Sequence, residues 1–97
     1  VELFWTPEAA QDRDEIYAYI EADNPAAALA LDELLAEKAG RLLDQPGLGR
    51  PGRVAGTREL VAHQNYILVY DKAANQVRVL RVLHAARQWP QGDRSKT

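Results

Sequence analysis

The spacing of apolar positions changes character along the chain, and each change marks an element. Leu3-Phe4-Trp5 is a short apolar run that stops at Thr6-Pro7, which predicts an edge strand over Glu2–Trp5. Thr6 is a good helix N-cap and Pro7 suits the first helical position, because its missing N–H would have no partner there anyway. Ala9, Arg13, Ile16 and Ile20 then recur at threes and fours, the period of one helix face, with Tyr17 beside them. Asp23-Asn24-Pro25 repeats the signal: it closes the first helix and opens a second, with Asn24 as cap. Ala28, Leu31, Leu35 and Leu42 form the second stripe, supported by Leu34 and Ala39, in a stretch rich in strong helix formers. Two such helices joined by a few residues form a hairpin.

Gln45 to Gly56 holds four glycines and two prolines and reads as a loop. Three β-type segments follow: Thr57–His63, Tyr66–Asp71 and Gln76–His84. The unbroken Tyr66-Ile67-Leu68-Val69-Tyr70 run reads as a central strand covered on both faces. The connectors Gln64-Asn65 and Lys72-Ala73-Ala74-Asn75 are turn-sized, so an antiparallel meander is expected. Ala85–Pro90 reads as one helical turn, and 91–97 as a frayed polar tail. The expectation is a single α+β domain over 1–97, ordered β-α-α-β-β-β. Its helical hairpin would pack on one face of a small, mainly antiparallel sheet whose other face is partly open.

Composition narrows the possibilities. The 97 residues are 46% hydrophobic and 27% charged, enough apolar content for a core. No apolar run approaches the roughly 18 residues of a membrane span, and the opening residues lack the basic and long apolar regions of a signal peptide. There is no cysteine, which excludes disulfides and thiol chemistry and fits a cytoplasmic protein. Net charge is −2 but polarised. Residues 1–44 carry eleven acids and three bases, whereas residues 45–97 carry three acids and nine bases. Such a chain has an acidic and a basic side, and the basic one can meet an acidic partner.

The candidate chemistry sits in the basic half. Arg58, Arg81, His84 and Arg87 form one constellation. On strict alternation Val77, Val79, Arg81 and Leu83 share one face of the last strand, and Arg78, Leu80, Val82 and His84 the other, so both faces mix apolar and basic residues. Arg81 in so apolar a strand needs a partner. Glu59 or an acid from the helices would serve, as would an anion on the open face. His63 beside a turn reads as a solvated imidazole, and His84 as either a sheet-edge residue or a proton carrier. Gln88-Trp89-Pro90 supplies either an anchor for the chain end or an exposed contact. Two histidines without a carboxylate motif make no metal site, and the glycine-rich loop lacks P-loop spacing, so no cofactor is expected.

Taken together, several segments resemble the RelE/ParE superfamily of bacterial toxins from type II toxin–antitoxin modules, and its ParE branch in particular. They are Asp14-Glu15-Ile16-Tyr17-Ala18-Tyr19-Ile20 with Asn24-Pro25-Ala26-Ala27-Ala28; Pro46-Gly47-Leu48-Gly49; Arg58-Glu59-Leu60-Val61 with Asn65-Tyr66-Ile67-Leu68-Val69-Tyr70; and Arg81-Val82-Leu83-His84-Ala85-Ala86-Arg87-Gln88-Trp89-Pro90. Their joint order covers about residues 3–90. The resemblance implies the same β-α-α-β-β-β fold and a growth-arresting, plasmid-stabilising toxin neutralised by a small, partly disordered antitoxin in a hetero-oligomer. ParE-type toxins poison DNA gyrase; RelE-type toxins cleave mRNA on the ribosome. The nuclease branch often places an arginine directly after the residue that opens the second meander strand, where this chain has Ile67. Gyrase is therefore the expected target, contacted by Arg58, Arg81, His84, Arg87, Gln88 and Trp89. The alternatives are an mRNA endonuclease using Arg81, His84 and Arg87, or a ParE-like toxin with another target. The antitoxin is expected on Ile16, Tyr17, Ile20, Leu31 and Leu35.

Overall fold

A computed structural model describes residues 1–85. The expected helical turn after Ala85 and the tail, with Arg87, Gln88 and Trp89, lie outside the described residues. The elements are β1 (Glu2–Trp5), α1 (Pro7–Glu21), α2 (Pro25–Arg41), β2 (Arg50–Pro51), β3 (Arg58–His63), β4 (Tyr66–Ala73) and β5 (Gln76–His84). Both caps form as the sequence predicts. Ala9 N–H donates to Thr6 Oγ1 at 3.1 Å, and Ala27 N–H to Asn24 Oδ1 at 3.1 Å. The Thr6 hydroxyl also lies 3.0 and 3.1 Å from the carbonyls of Val79 and Leu80, so one residue starts α1 and ties it to β5.

The five strands make one sheet in the order β1-β5-β4-β3-β2. β1 is an edge strand and runs parallel to β5; the other pairs are antiparallel. The hairpin packs on one face through Ala9, Leu31, Leu35 and Ala39 against Ala62, Leu68, Val79 and Val82. Leu42 continues that core onto Tyr70 and Val77. Ile16 and Ile20 pack against its border and stay half-buried. Ile67 and Val69, which alternate with Leu68 and Tyr70 along β4 and so face away from the helices, are buried as well, as a covered central strand requires.

Two expectations need correction. The loop from Gln45 to Gly56 contains a strand, β2, whose Arg50 and Pro51 pair with Glu59 and Arg58. A two-residue strand ending in proline has no period to read, and proline is tolerated because β2 is an edge. The β4–β5 connector is also shorter: Lys72 and Ala73 extend β4, leaving Ala74-Asn75 as the turn, with Ala74 at φ 51°. The faces of β5 differ from strict alternation for a separate reason. Val69 opposes Arg81 while Tyr70 opposes Val79, so Leu80 is an extra residue in a β-bulge. Val77, Val79 and Val82 consequently all reach the helix-side core.

Tyr70 anchors the loop that leads to β2. Its hydroxyl donates to Pro46 O at 2.7 Å and accepts Gly49 N–H at 2.8 Å. A Cβ on Gly49 would lie 2.7 Å from Glu59 O and 2.8 Å from the Tyr70 ring, so only glycine fits there. Tyr70→Phe leaves the Gly49 N–H and Pro46 carbonyl without this partner. It is expected to cost about 1–3 kcal/mol in urea unfolding; an unchanged midpoint would show that the loop is held by other contacts.

A cleft between the helical hairpin and the sheet as candidate functional site

The hairpin does not cover the sheet to its end. Where β4 begins and β5 finishes, a cleft of about 880 Å³ opens beside α1 and α2. Ile16, Ile20, Ala27 and Leu31 line its helical side, and Tyr66, Val82, Leu83 and His84 its sheet side. The helical wall follows from the period of α1 and α2, which turns these residues toward the sheet. The sheet wall follows from two irregularities. The bulge in β5 brings Val82 inward, and a register shift between Val61 and His63 sets His63 opposite Tyr66. His63, Tyr66 and His84 therefore form a row across three strands. The Tyr66 ring lies 6.0 Å from His63 and 5.3 Å, edge-on, from His84.

His63 is half-buried rather than simply solvated, and its Nδ1 accepts Asn65 N–H at 3.1 Å. Arg81 takes the helix-acid option. Its Nε and Nη2 donate to Asp12 Oδ2 and Oδ1 at 2.7 and 3.0 Å, and Val82 N–H donates to the same Oδ2 at 2.9 Å. The hydrogen bonds that Arg81 donates to Asp12 raise the Arg81 pKa above its ordinary value, burial opposes this, and the charges of Asp12, Glu8 and Glu15 add to it. This clamp forms where β1 has ended, so a helix carboxylate takes the β5 edge N–H that a strand would otherwise accept.

Glu59 instead anchors the loop after β2. It is 3% exposed, accepts Arg53 N–H at 3.2 Å, and holds Arg50 and Arg53 at 3.4 and 3.6 Å. Arg58 lies at the other end of the sheet. It opposes Tyr70, four residues and roughly 13 Å along β4 from the Tyr66–His84 pair. Its Nη1 donates to Gly49 O at 2.7 Å, beside a smaller pocket with Lys72 and Asp71. The structure thus brings Arg81 and His84 together and leaves Arg58 apart.

Of the residues expected to hold a partner, Ile16, Ile20 and Leu31 line the cleft and Tyr17 is half-buried outside its lining. Leu35 is 1% exposed in the core and shapes the cleft only from behind. Sequence reasoning passed over Asp12, Glu15 and Tyr19, which complete the α1 wall. Their spacing with Glu8 of four, three and four residues, a single helix face, was the available signal. Among the described residues, no group of three or more His, Asp or Glu side chains is placed to hold a metal ion, and no helix is long and apolar enough to cross a membrane.

Comparison with known proteins bears on the family and the fold. A family model described as the ParE toxin of the type II toxin–antitoxin system, parDE, matches residues 3–89. A protein of Sinorhizobium fredii named putative toxin Y4kP is 44% identical over 88 residues, 90% of this chain and 91% of its own length. Toxin RelE2 of Caulobacter vibrioides is 35% identical over 86 residues, 89% of this chain and 97% of its own. Among solved structures, a chain of the chromosomal ParDE system from P. aeruginosa superimposes with a TM-score of 0.78 at 27% identity, covering 87% of this chain and 95% of that one. The YoeB/ParE toxin from Agrobacterium tumefaciens shares the fold, with a TM-score of 0.62 at 18% identity over 87% of this chain and 98% of its own. The family match over residues 3–89, the 44% identical relative and the helical hairpin on a five-stranded mixed sheet agree: the chain belongs to the ParE toxins of type II toxin–antitoxin systems.

Proposed function

We propose that the protein arrests growth by binding DNA gyrase in the cytoplasm, and that a cognate antitoxin silences it by seating a flexible segment in the cleft. Ile67 carries the choice of target. It occupies the position where nuclease relatives often carry an arginine, and it is 6% exposed within an apolar strand. Cleavage of RNA by its own 2′-hydroxyl requires a base, an acid and cations for the phosphate. Here Arg81 is engaged with Asp12, which supports a binding role over a catalytic one. The cleft supports the antitoxin reading, because its half-buried isoleucines are the kind of apolar anchor that a segment ordering on contact can cover.

A ribosome-dependent mRNA endonuclease is the second reading, favoured by the His63-Tyr66-His84 row and by the relative named Toxin RelE2. His84→Gln separates the two, since it removes the imidazole as a proton carrier while keeping hydrogen-bonding ability. A gyrase binder is expected to stay toxic with this change and to inhibit supercoiling by purified gyrase. A nuclease would lose about 10²–10⁴-fold in cleavage rate. Loss of toxicity in folded His84→Gln, together with mRNA cut on ribosomes by the wild type alone, would overturn the gyrase reading.

A further inference from the structure

The cleft has two unlike walls. The sheet wall presents the rings of His63, Tyr66 and His84. The α1 wall carries Asp12 and Glu15 and ends at Tyr19, which is 82% exposed. Asp12 is engaged with Arg81 and Val82. Glu15 is exposed, accepts one hydrogen bond from Gln11 Nε2 at 2.9 Å, and is in no ion pair among the described residues. The same holds across the hairpin: of the eleven acids in residues 1–44, only Asp12, Asp32 and Glu37 are in ion pairs among the described residues. An apolar floor is thus bordered on the α1 side by two carboxylates, Asp12 held by Arg81 and Glu15 exposed to an incoming segment.

We infer that the segment occupying this cleft is a cationic amphipathic one, with apolar anchors on Ile16, Ile20 and Leu31 and a lysine or arginine facing Glu15. The inference rests on the toxin–antitoxin reading and adds the sign of the antitoxin segment's charge. From Asp12 to Ile20 the α1 wall runs roughly 12 Å, the length of about two helical turns, so a short stretch suffices. An acidic segment, or the hairpin of a second copy, would bring like charges against Glu15.

The test uses this protein and the product of the neighbouring gene, purified and mixed, with affinity measured at rising NaCl. Wild-type binding is expected to weaken steeply with salt, and Glu15→Lys to weaken it by about tenfold or more, chiefly through slower association. Glu15→Gln is expected to fall between them. Both side chains point to solvent, so circular dichroism should report an unchanged fold. Salt-independent affinity, or Glu15→Lys binding as tightly as wild type, would overturn the inference while leaving the toxin–antitoxin reading in place. Self-association of the wild type that Glu15→Lys abolishes would assign the cleft to a second copy and likewise overturn it. If no complex forms at all, the proposal that an antitoxin seats in the cleft fails, and the inference with it.

Discussion

Leu35→Ala is expected to destabilise the protein by about 2–5 kcal/mol. Leu35 is 1% exposed and shares its cluster with Leu31, Ala39, Leu68, Val79 and Val82, so both helices' attachment to the sheet passes through it. Truncation removes buried methyl groups and leaves a cavity that surrounding strands are too constrained to fill. A domain of this size has only about 5–15 kcal/mol to lose, and each kcal/mol shifts the melting temperature by about 4–8 °C. Thermal unfolding should therefore move down by about 8 °C or more. Because Leu35 does not line the cleft, the fraction that stays folded should bind its partner almost normally. A loss below about 1 kcal/mol would mean that the hairpin is held mainly elsewhere.

Arg81→Glu is expected to be equally damaging, for an electrostatic reason. It replaces a two-point ion pair with a second carboxylate beside Asp12, and the charges of Glu8 and Glu15 also reach this position. Breaking such a partly buried pair costs about 3–5 kcal/mol when one charge is left without its partner. Loss of toxicity in Arg81→Glu would thus report a weakened fold rather than a lost target contact, and its melting temperature should show this. Exchanging the pair, as Asp12→Arg with Arg81→Glu, should recover part of the stability, the signature of direct coupling. Arg58→Glu is the cleaner probe of target contact. Arg58 is exposed and its side chain donates to a loop carbonyl, so the variant should stay folded. Full stability in Arg81→Glu would contradict the clamp.

What could be read from the sequence followed from local physics. Thr6-Pro7 and Asn24-Pro25 fix helix starts by their own hydrogen bonds, and the stripes of α1 and α2 name their buried faces without knowledge of the sheet. What could not be read depended on partners distant in sequence. β2 exists because β3 offers it an edge, and nothing in Arg50-Pro51 announces a strand. The bulge at Leu80 hides in a run of alternating apolar and basic residues, where one extra residue exchanges the faces of all that follow. The counter-ion of Arg81 lies 69 positions away, among acids that all resemble surface residues. The cleft was half legible: its isoleucines stand out by their period, while Glu15 and Tyr19 read as solvated helix surface because only the folded chain sets the uncovered end of the sheet opposite them.

The parallel pairing of β1 with β5 sets when the protein can become active during its synthesis. Trp5 lies beside Val79, so β1 has no strand neighbour until β5 has been made. At roughly 5–20 residues per second, the ribosome takes several seconds to cover that interval. Throughout it, α1 lacks both the Val79 and Leu80 carbonyls that anchor Thr6 and the Val82 N–H that meets Asp12. A growing chain therefore remains without its completed sheet until β5 has cleared the exit tunnel, and a partner already present in the cell can meet the cleft as soon as it forms.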